Sequence, residues 1–281
     1  MNGRVCIVTG ATHGIGLATA RALAALGATV LVHGRDLARA RSVAAAISRD
    51  TANTEVRAVQ ADFAELAQVR RLAQELASSL PRLDVLINNA GMMSAARGQS
   101  ADGYDLTFAV NHLAPFLFTN LLLGKLQESA PARIIVVASE AHRRATLDFA
   151  DLMNATVSGL LPAYARSKLA NVLFVRALAA RLAGSGVTVN ALHPGFVNSH
   201  LFHGSPALLR ALLGSIGRPF MLSAARGART SVYLASAPQL AGCSGGYYRA
   251  CRLEPPGAAA QSDADAARLW QQSARLTGLT A

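Results

Sequence analysis

Val5-Cys6-Ile7-Val8-Thr9-Gly10-Ala11-Thr12-His13-Gly14-Ile15-Gly16 runs from a short apolar, β-branched stretch into a glycine-rich turn, and a helical pattern, Ile15–Leu26, starts where the glycines end. Glycine has no Cβ, so the backbone of such a turn can approach a ligand closely. The first amide groups of a helix lack intrahelical partners and sit at its positive end, which suits a phosphate. A glycine-rich turn can also serve only to redirect the chain. Its place here, between the first strand and the first helix, favours the pyrophosphate of a dinucleotide. The candidate contacts are Gly10, Thr12, His13, Gly14, Ile15 and Gly16.

Outward from this turn the same alternation continues. Strands are predicted at Val5–Thr9, Thr29–His33, Val56–Gln60, Val85–Asn88, Arg133–Ala138 and Thr188–His193. Helical patterns lie at Ile15–Leu26, Leu37–Arg49, Leu66–Leu80, Tyr104–Leu126 and Ala163–Ala183. Gly27 is a plausible stop for the first helix and Asp36 an N-cap for the second. Apolar strands separated by helices call for a parallel sheet covered on both faces. Right-handed crossovers then leave the doubly wound α/β sheet, the Rossmann arrangement, in about seven strands. One domain over residues 1–256 is predicted, with a lid at about 200–223, and a tail over 257–281 ending in a short amphipathic stretch around Leu269–Leu276.

The end of the second strand reads His33-Gly34-Arg35. A carboxylate here would meet the ribose 2′-hydroxyl of NAD, whereas an Arg accommodates the 2′-phosphate of NADP. Gly34 supplies no carboxylate and Arg35 supplies a forked guanidinium, so NADP(H) is expected ahead of NAD(H). Asp36 is read as the helix cap, with the ribose as its alternative partner. Asp62 after the third strand, and Asn88, Ala90 and Gly91 at the end of the fourth, lie where strand C-termini face the ligand of such a sheet. Asn88 is a candidate to hold backbone groups of the turn.

Bulk composition narrows the class. Of 281 residues 52% are hydrophobic and 15% charged, which favours a sizeable core over disorder. The net charge is +11, yet only Lys125 and Lys168 are lysines, and the arginines are scattered without a dense run. That spread and the few aromatics count against a nucleic-acid partner. Cys6, Cys243 and Cys251 make neither a disulfide framework nor a zinc pattern, and Cys6 reads as a buried thiol. The seven histidines show no metal spacing, so no metal is expected. No run approaches the ~20 apolar residues of a membrane span. The longest, Leu113–Leu123, is broken by Pro115, and no signal peptide precedes the first strand, so a cytoplasmic location is expected.

Lys168 stands out as one of two lysines, four residues after Tyr164. Residues at i and i+4 share a helix face. An ammonium there favours a phenolate, which otherwise forms only near pH ~10, and so can bring a tyrosine proton into use near neutrality. The order Thr9-Gly10-x-x-x-Gly14-x-Gly16, Asn88-Asn89-Ala90-Gly91, Asn111, Ser139, Tyr164-x-x-x-Lys168 and Pro194-Gly195 resembles the short-chain dehydrogenase/reductase family from about Val5 to Tyr248. Within it, Val110-Asn111-His112-Leu113, Ser139-Glu140-Ala141-His142-Arg143, Ser167-Lys168-Leu169-Ala170-Asn171, His193-Pro194-Gly195 and Ser244-Gly245-Gly246-Tyr247-Tyr248 resemble the retinol dehydrogenase-like branch.

The resemblance implies an oxidoreductase that interconverts an alcohol and an aldehyde or ketone. It implies Tyr164 as acid/base and as a cofactor contact, Lys168 as the group that lowers its pKa and bonds the nicotinamide ribose, Ser139 as the holder of the substrate oxygen, and Asn111 as the holder of a water leading to Lys168. Pro194, Gly195, Val197 and Ser199 would meet the nicotinamide. Two hydroxyl donors aimed at an oxygen that gains negative charge fit such a reaction. Ser167 is a rival hydroxyl, but adjacent helix residues point apart. His112, His142 and His193 suggest a hydrolase only weakly, because no G-x-S-x-G turn is present.

Three departures stand out. Ser139 and Tyr164 are 25 residues apart, with an inserted loop at Arg143–Leu161; Ala138 replaces a first Ser; Ser199 replaces a Thr. The N-terminal hydrophobic anchor of some branch members is not carried over. Met92, Met93, Leu160, Leu161, Phe196, Phe202, Leu208, Leu209 and Phe220 predict apolar pocket walls and a bulky lipophilic substrate. Two rivals remain: an enone or tetrapyrrole-type double-bond reductase of the same fold, and a non-catalytic NADP-sensing protein. The oligomeric state stays open, with homodimer and homotetramer implied by relatives that pair through the Tyr164 helix and its predecessor.

Overall fold

The computed structural model describes residues 1–94, 98–154, 159–196 and 222–279. Eight strands form one sheet: β1 Val5–Val8, β2 Thr29–Gly34, β3 Val56–Gln60, β4 Val85–Asn88, β5 Ala132–Val137, β6 Val187–His193, β7 Tyr247–Arg249 and β8 Arg252–Glu254. Their order is β3-β2-β1-β4-β5-β6-β7-β8. All neighbours pair in parallel except β7 and β8, an antiparallel edge hairpin and the strand beyond the expected seven. The direction of winding reverses between β1 and β4, the crevice where such sheets take ligands.

Both sheet faces are apolar, as a buried parallel sheet requires. In β1, Val5 and Ile7 join one core while Cys6 and Val8 join the other. Helices α1 (Gly14–Ala25), α2 (Leu37–Thr51) and α6 (Ala224–Ser236) cover the Cys6 face. Helices α3 (Leu66–Ser79), α4 (Leu106–Glu128), α5 (Leu160–Arg181) and α7 (Asp263–Thr277) cover the other. Cys6 is a free, buried thiol that burial pushes up to about 12, as its apolar strand predicts.

Helix α4 corrects one expectation. The apolar run does not stop at Pro115: Leu106–Glu128 is 23 residues long and apolar enough to cross a membrane by length and composition, but 78% of its most apolar window is buried in the fold. A π-turn at Ala109–Leu113 precedes Pro115, so the proline's missing amide falls where the hydrogen-bond register changes.

The tail also differs. Its helix spans 15 residues rather than a short stretch, capped by Ser262, which accepts from the Asp265 amide, and closed by left-handed Gly278. It packs into the core through Ala266, Leu269 and Ala274. Trp270 lies edge-on to Phe116 at 5.0 Å and stacks on Phe174 at 5.9 Å, under the Arg181 guanidinium at 3.9 Å. His112 and Ser273 are hydrogen-bonded at 2.8 Å. The aromatic face of α4 and α5 is thus covered by the same chain.

Candidate active site

At the winding reversal the glycine turn is pressed from three sides. Gly10 (φ 62°) and Gly14 (φ 56°) occupy the left-handed region that glycine alone enters freely. A Cβ at Gly10 would stand 2.8 Å from Ala90 Cα, and one at Gly16 would stand 2.4 Å from Asn89 Nδ2 and from the Gly10 carbonyl oxygen. Asn89 Nδ2 donates to the Thr9 and Gly10 carbonyls at 2.7 and 3.2 Å, while the Asn89 and Ala90 amides both donate to Thr9 Oγ1 at 2.9 Å. From the other side, the Gly10 amide donates to His33 Nδ1 at 3.1 Å, and His33 Nε2–H donates to the Ala61 carbonyl at 3.0 Å. Burial lowers the His33 pKa to about 4, so the ring is neutral and serves as acceptor and donor at once.

This cradle fits a dinucleotide. The N-cap of α1, His13, makes no side-chain cap hydrogen bond, and no acidic residue sits in the first turn. The leading amides are left to an anion. Asp36 Oδ1 accepts from the Arg39 amide at 3.0 Å, the α2 N-cap expected of it. A Cβ at Gly34 would lie 2.5 Å from Thr12 Cγ2, so a side chain there would require Thr12 to move. Arg35, next in line, is exposed. Asp62 is tied locally, accepting from the Ala64 amide at 2.9 Å.

Asn88 is not the residue that holds the turn; its neighbour is. Alternate strand residues face opposite ways. Asn88 Nδ2 therefore donates back to Thr119 Oγ1 on α4 at 2.8 Å, while Asn89 reaches the glycines.

At the C-terminal ends of β4, β5 and β6 the chemical residues converge. Lys168 Nζ donates to the Val137 carbonyl at 2.9 Å and lies 5.6 Å from the centre of the Tyr164 ring. A Cβ at Gly91 would be 3.3 Å from both Lys168 Nζ and Asn111 Oδ1, so the three groups share one small space that a side chain would fill. Asn111 sits in the π-turn; its Oδ1 accepts from the Met92 amide at 2.7 Å, and its Nδ2 donates to the Met92 carbonyl and Ser167 Oγ, both at 2.9 Å. Ser167 donates in turn to the Tyr164 carbonyl at 2.7 Å. The rival hydroxyl is therefore engaged inside the helix pair rather than offered to a ligand.

Ser139 caps a 3₁₀ turn, Glu140–Arg144, its Oγ accepting from the Ala141 amide at 3.2 Å. One lone pair is thereby occupied and the hydroxyl proton remains to donate. Burial pushes the Tyr164 phenol up to about 12, and its hydrogen bond with Ser139 pulls it the other way. The expected depression by Lys168 is not seen: burial lowers the amine itself to about 8, and one of its N–H groups is engaged by the Val137 carbonyl. Desolvation pushes each partner toward its neutral form.

Pro194 and Gly195 follow β6, and Gly195 (φ 87°) packs under Leu222, where a Cβ would meet Cδ1 at 2.5 Å. The Leu222 amide donates to the Phe196 carbonyl at 2.7 Å. Val197, Ser199, Phe202, Leu208, Leu209 and Phe220, with the lid except its last two residues, lie outside the described residues. Met93, expected in the pocket wall, is buried in the fold.

A doubly wound sheet with a glycine cradle at its winding reversal and a Ser-Tyr-Lys-Asn set gathered beside the neighbouring strand ends defines a nicotinamide-dinucleotide oxidoreductase class. The sequence profile of the short chain dehydrogenase family matches residues 4–207, and the chain belongs to that family, in its retinol dehydrogenase-like branch. It is 41% identical to human (Homo sapiens) retinol dehydrogenase 14 over 99% of this chain and 88% of that one. Among solved structures, an uncharacterized protein from Mycobacterium Paratuberculosis superposes with a TM-score of 0.79 at 33% identity, covering 99% of this chain and 94% of that one. The Pseudomonas aeruginosa RhlG/NADP active-site complex gives 0.71 at 29% identity, covering 92% and 97%.

Thr9, Asn89, His33 and Ser167 hold the site yet fall outside the sequence-derived site set. Thr9 and Asn89 were inside quoted motifs. A histidine closing an apolar strand was the available signal for His33.

Proposed function

We propose that this chain is an NADP(H)-dependent oxidoreductase that interconverts an alcohol and its aldehyde or ketone. The observation that carries the reading is the gathering of Lys168 and Asn111 beside Gly91 and of Tyr164 against Ser139, at the strand ends next to the glycine cradle. NADPH, when bound, supplies the hydride. Ser139 and Tyr164 hold the substrate oxygen by their hydroxyl protons, and Tyr164 passes its proton to that oxygen as charge develops there. Lys168, with Asn111 beside it, restores the phenol proton from solvent. Arg35 faces the 2′-phosphate, supported by Gly34 offering no carboxylate and by Asp36 serving as the α2 cap.

The substrate is bulky and lipophilic. Phe196 (76% exposed) follows Pro194-Gly195, and Leu161 (64% exposed) precedes Tyr164 by less than a turn. Large apolar side chains left in water on either side of a site favour an apolar ligand. The retinol dehydrogenase name of the relatives points to the same class.

The test is a carbonyl panel followed at the reduced-nicotinamide absorbance band with NADPH and NADH. Nonanal and retinaldehyde are expected to turn over with NADPH, and glyceraldehyde poorly. Arg35→Ala should reduce the preference for NADPH about tenfold, the worth of one charge-assisted hydrogen bond. Turnover of glyceraldehyde alone would reject the lipophilic substrate; an unchanged cofactor preference in Arg35→Ala would reject the phosphate contact.

A further inference from the structure

His142 is fully buried, makes two hydrogen bonds, and has no part in the chemistry above. Its Nδ1–H donates to the Ser139 carbonyl at 2.7 Å, and its Nε2 accepts from the Gly257 amide at 2.8 Å. The carbonyl can only accept and the amide can only donate, so one neutral tautomer satisfies both. The ring packs 4.8 Å from Tyr247, and a Cβ at Gly257 would crowd Arg143 Cα at 3.0 Å. Charges around it come from three elements: Glu140 and Arg143 on its own turn, His193 on β6, and Arg249 on β7. Gly257 in turn caps the 3₁₀ turn Ala258–Gln261 that leads into α7, the helix packed behind α5.

We propose that His142 is a positioning residue for Ser139, and that the C-terminal segment completes the active site through the Gly257 amide. This rests on the reading of Ser139 as the holder of the substrate oxygen. At Ser139 the turn that orients its Oγ is closed by the backbone bond from His142 N to Ser139 O at 3.2 Å. The imidazole adds a shorter second bond to the same carbonyl and ties it to Gly257, 115 residues beyond His142. Without that tie the hydroxyl still exists but is no longer held where a donor is needed, and misplacement of this kind lowers turnover more than binding.

The experiment compares His142→Phe, His142→Asn and His142→Gln in the full chain, with nonanal and retinaldehyde as probes. His142→Phe keeps the ring shape and removes both bonds. It should lower kcat about tenfold or more, with the NADPH dissociation constant, read by nucleotide fluorescence, within about twofold of native. The Asn amide nitrogen lies where Nδ1 lies, so His142→Asn should recover most of kcat; Gln reaches toward Gly257 instead and should not. In a Ser139→Ala background, His142→Phe should change kcat by less than about twofold, because a residue acting through Ser139 has nothing left to act on.

Native kcat in His142→Phe overturns the proposal. So do equal losses in Phe and Asn that track a fall in Tm, or losses that add in the double variant. If neither probe turns over, or Ser139→Ala retains native kcat, the reading of the site itself fails and the inference with it. If Ser139→Ala is inactive while His142→Phe is not, only the inference fails.

Discussion

The two ends of the site are built from different materials. At the proposed nucleotide end the glycine turn offers backbone amides, and side chains brace it: Thr9, Asn89 and His33 are hydrogen-bonded to its backbone. At the chemical end the facing groups are side chains, and backbone stands behind them: the Val137 carbonyl under Lys168, the Met92 peptide on Asn111, the Ala141 amide on Ser139. Both ends share one device, a buried neutral histidine joining a glycine amide to a carbonyl. His33 links Gly10 to Ala61, and His142 links Gly257 to Ser139, in opposite tautomers. A rigid ring with one donor and one acceptor clamps two segments only while it is uncharged.

The largest effect expected from this contrast is Tyr164→Phe. Removing the proton donor should lower kcat by about 10³ or more, at the upper part of what acid–base catalysis supplies, while NADPH fluorescence titration moves the dissociation constant by about tenfold at most. Loss of nucleotide binding in that variant would break the division between the ends. The mirror variant is Gly16→Ala. Its Cβ would meet Asn89 Nδ2 and the Gly10 carbonyl oxygen at 2.4 Å, and the second contact, with backbone, is not relieved by a side-chain shift. Overpacking of this kind costs about 1–3 kcal/mol. Here it should appear as an NADPH dissociation constant raised on the order of 100-fold. Isothermal titration reads it directly, and native affinity in Gly16→Ala would show that the turn is not the cradle.

What the sequence made legible follows the same division. The first six strands agree with the sequence reading to within about a residue because alternation of apolar runs and helices is a local signal, whereas the three-residue β7, parallel to β6, was not placed. The glycine turn and Tyr164-x-x-x-Lys168 were legible because each needs a particular residue type at a particular spacing. Groups that act from a distance were not. Nothing local marks Gly257 as the partner of His142, and Asn88 was preferred over Asn89 because sequence alone does not say which side of a strand end faces the turn. The π-turn that carries Asn111 leaves no compositional trace. Helix α7 is different, because its signals were all present: Ser262 as cap, Asp263 and Asp265 in the first turn, Arg275 in the last, Gly278 as stop. The depressed phenol pKa was inferred from helical spacing, which carries no information on burial, and burial decides its direction here.

The shared histidine device predicts a smaller effect with a definite sign. The His33 pKa falls from 6.5 to about 4 on folding, so between those values the unfolded chain binds more protons than the folded one. Stability from this group is therefore fully present above pH ~6.5 and is lost as pH falls toward 4. By pH 5 the loss is roughly 2 kcal/mol from His33 alone. Protonation would also turn Nδ1–H against the Gly10 amide, so the clamp opens at the nucleotide end. Urea unfolding at pH 7 and pH 5 should show the fall, and His33→Phe, which keeps the contact with Phe63 but cannot titrate, should show a smaller one. If His33→Phe loses as much stability between the two pH values as the native chain, the imidazole at β2 is not a pH-sensitive clamp, and the likeness between the two ends reduces to packing.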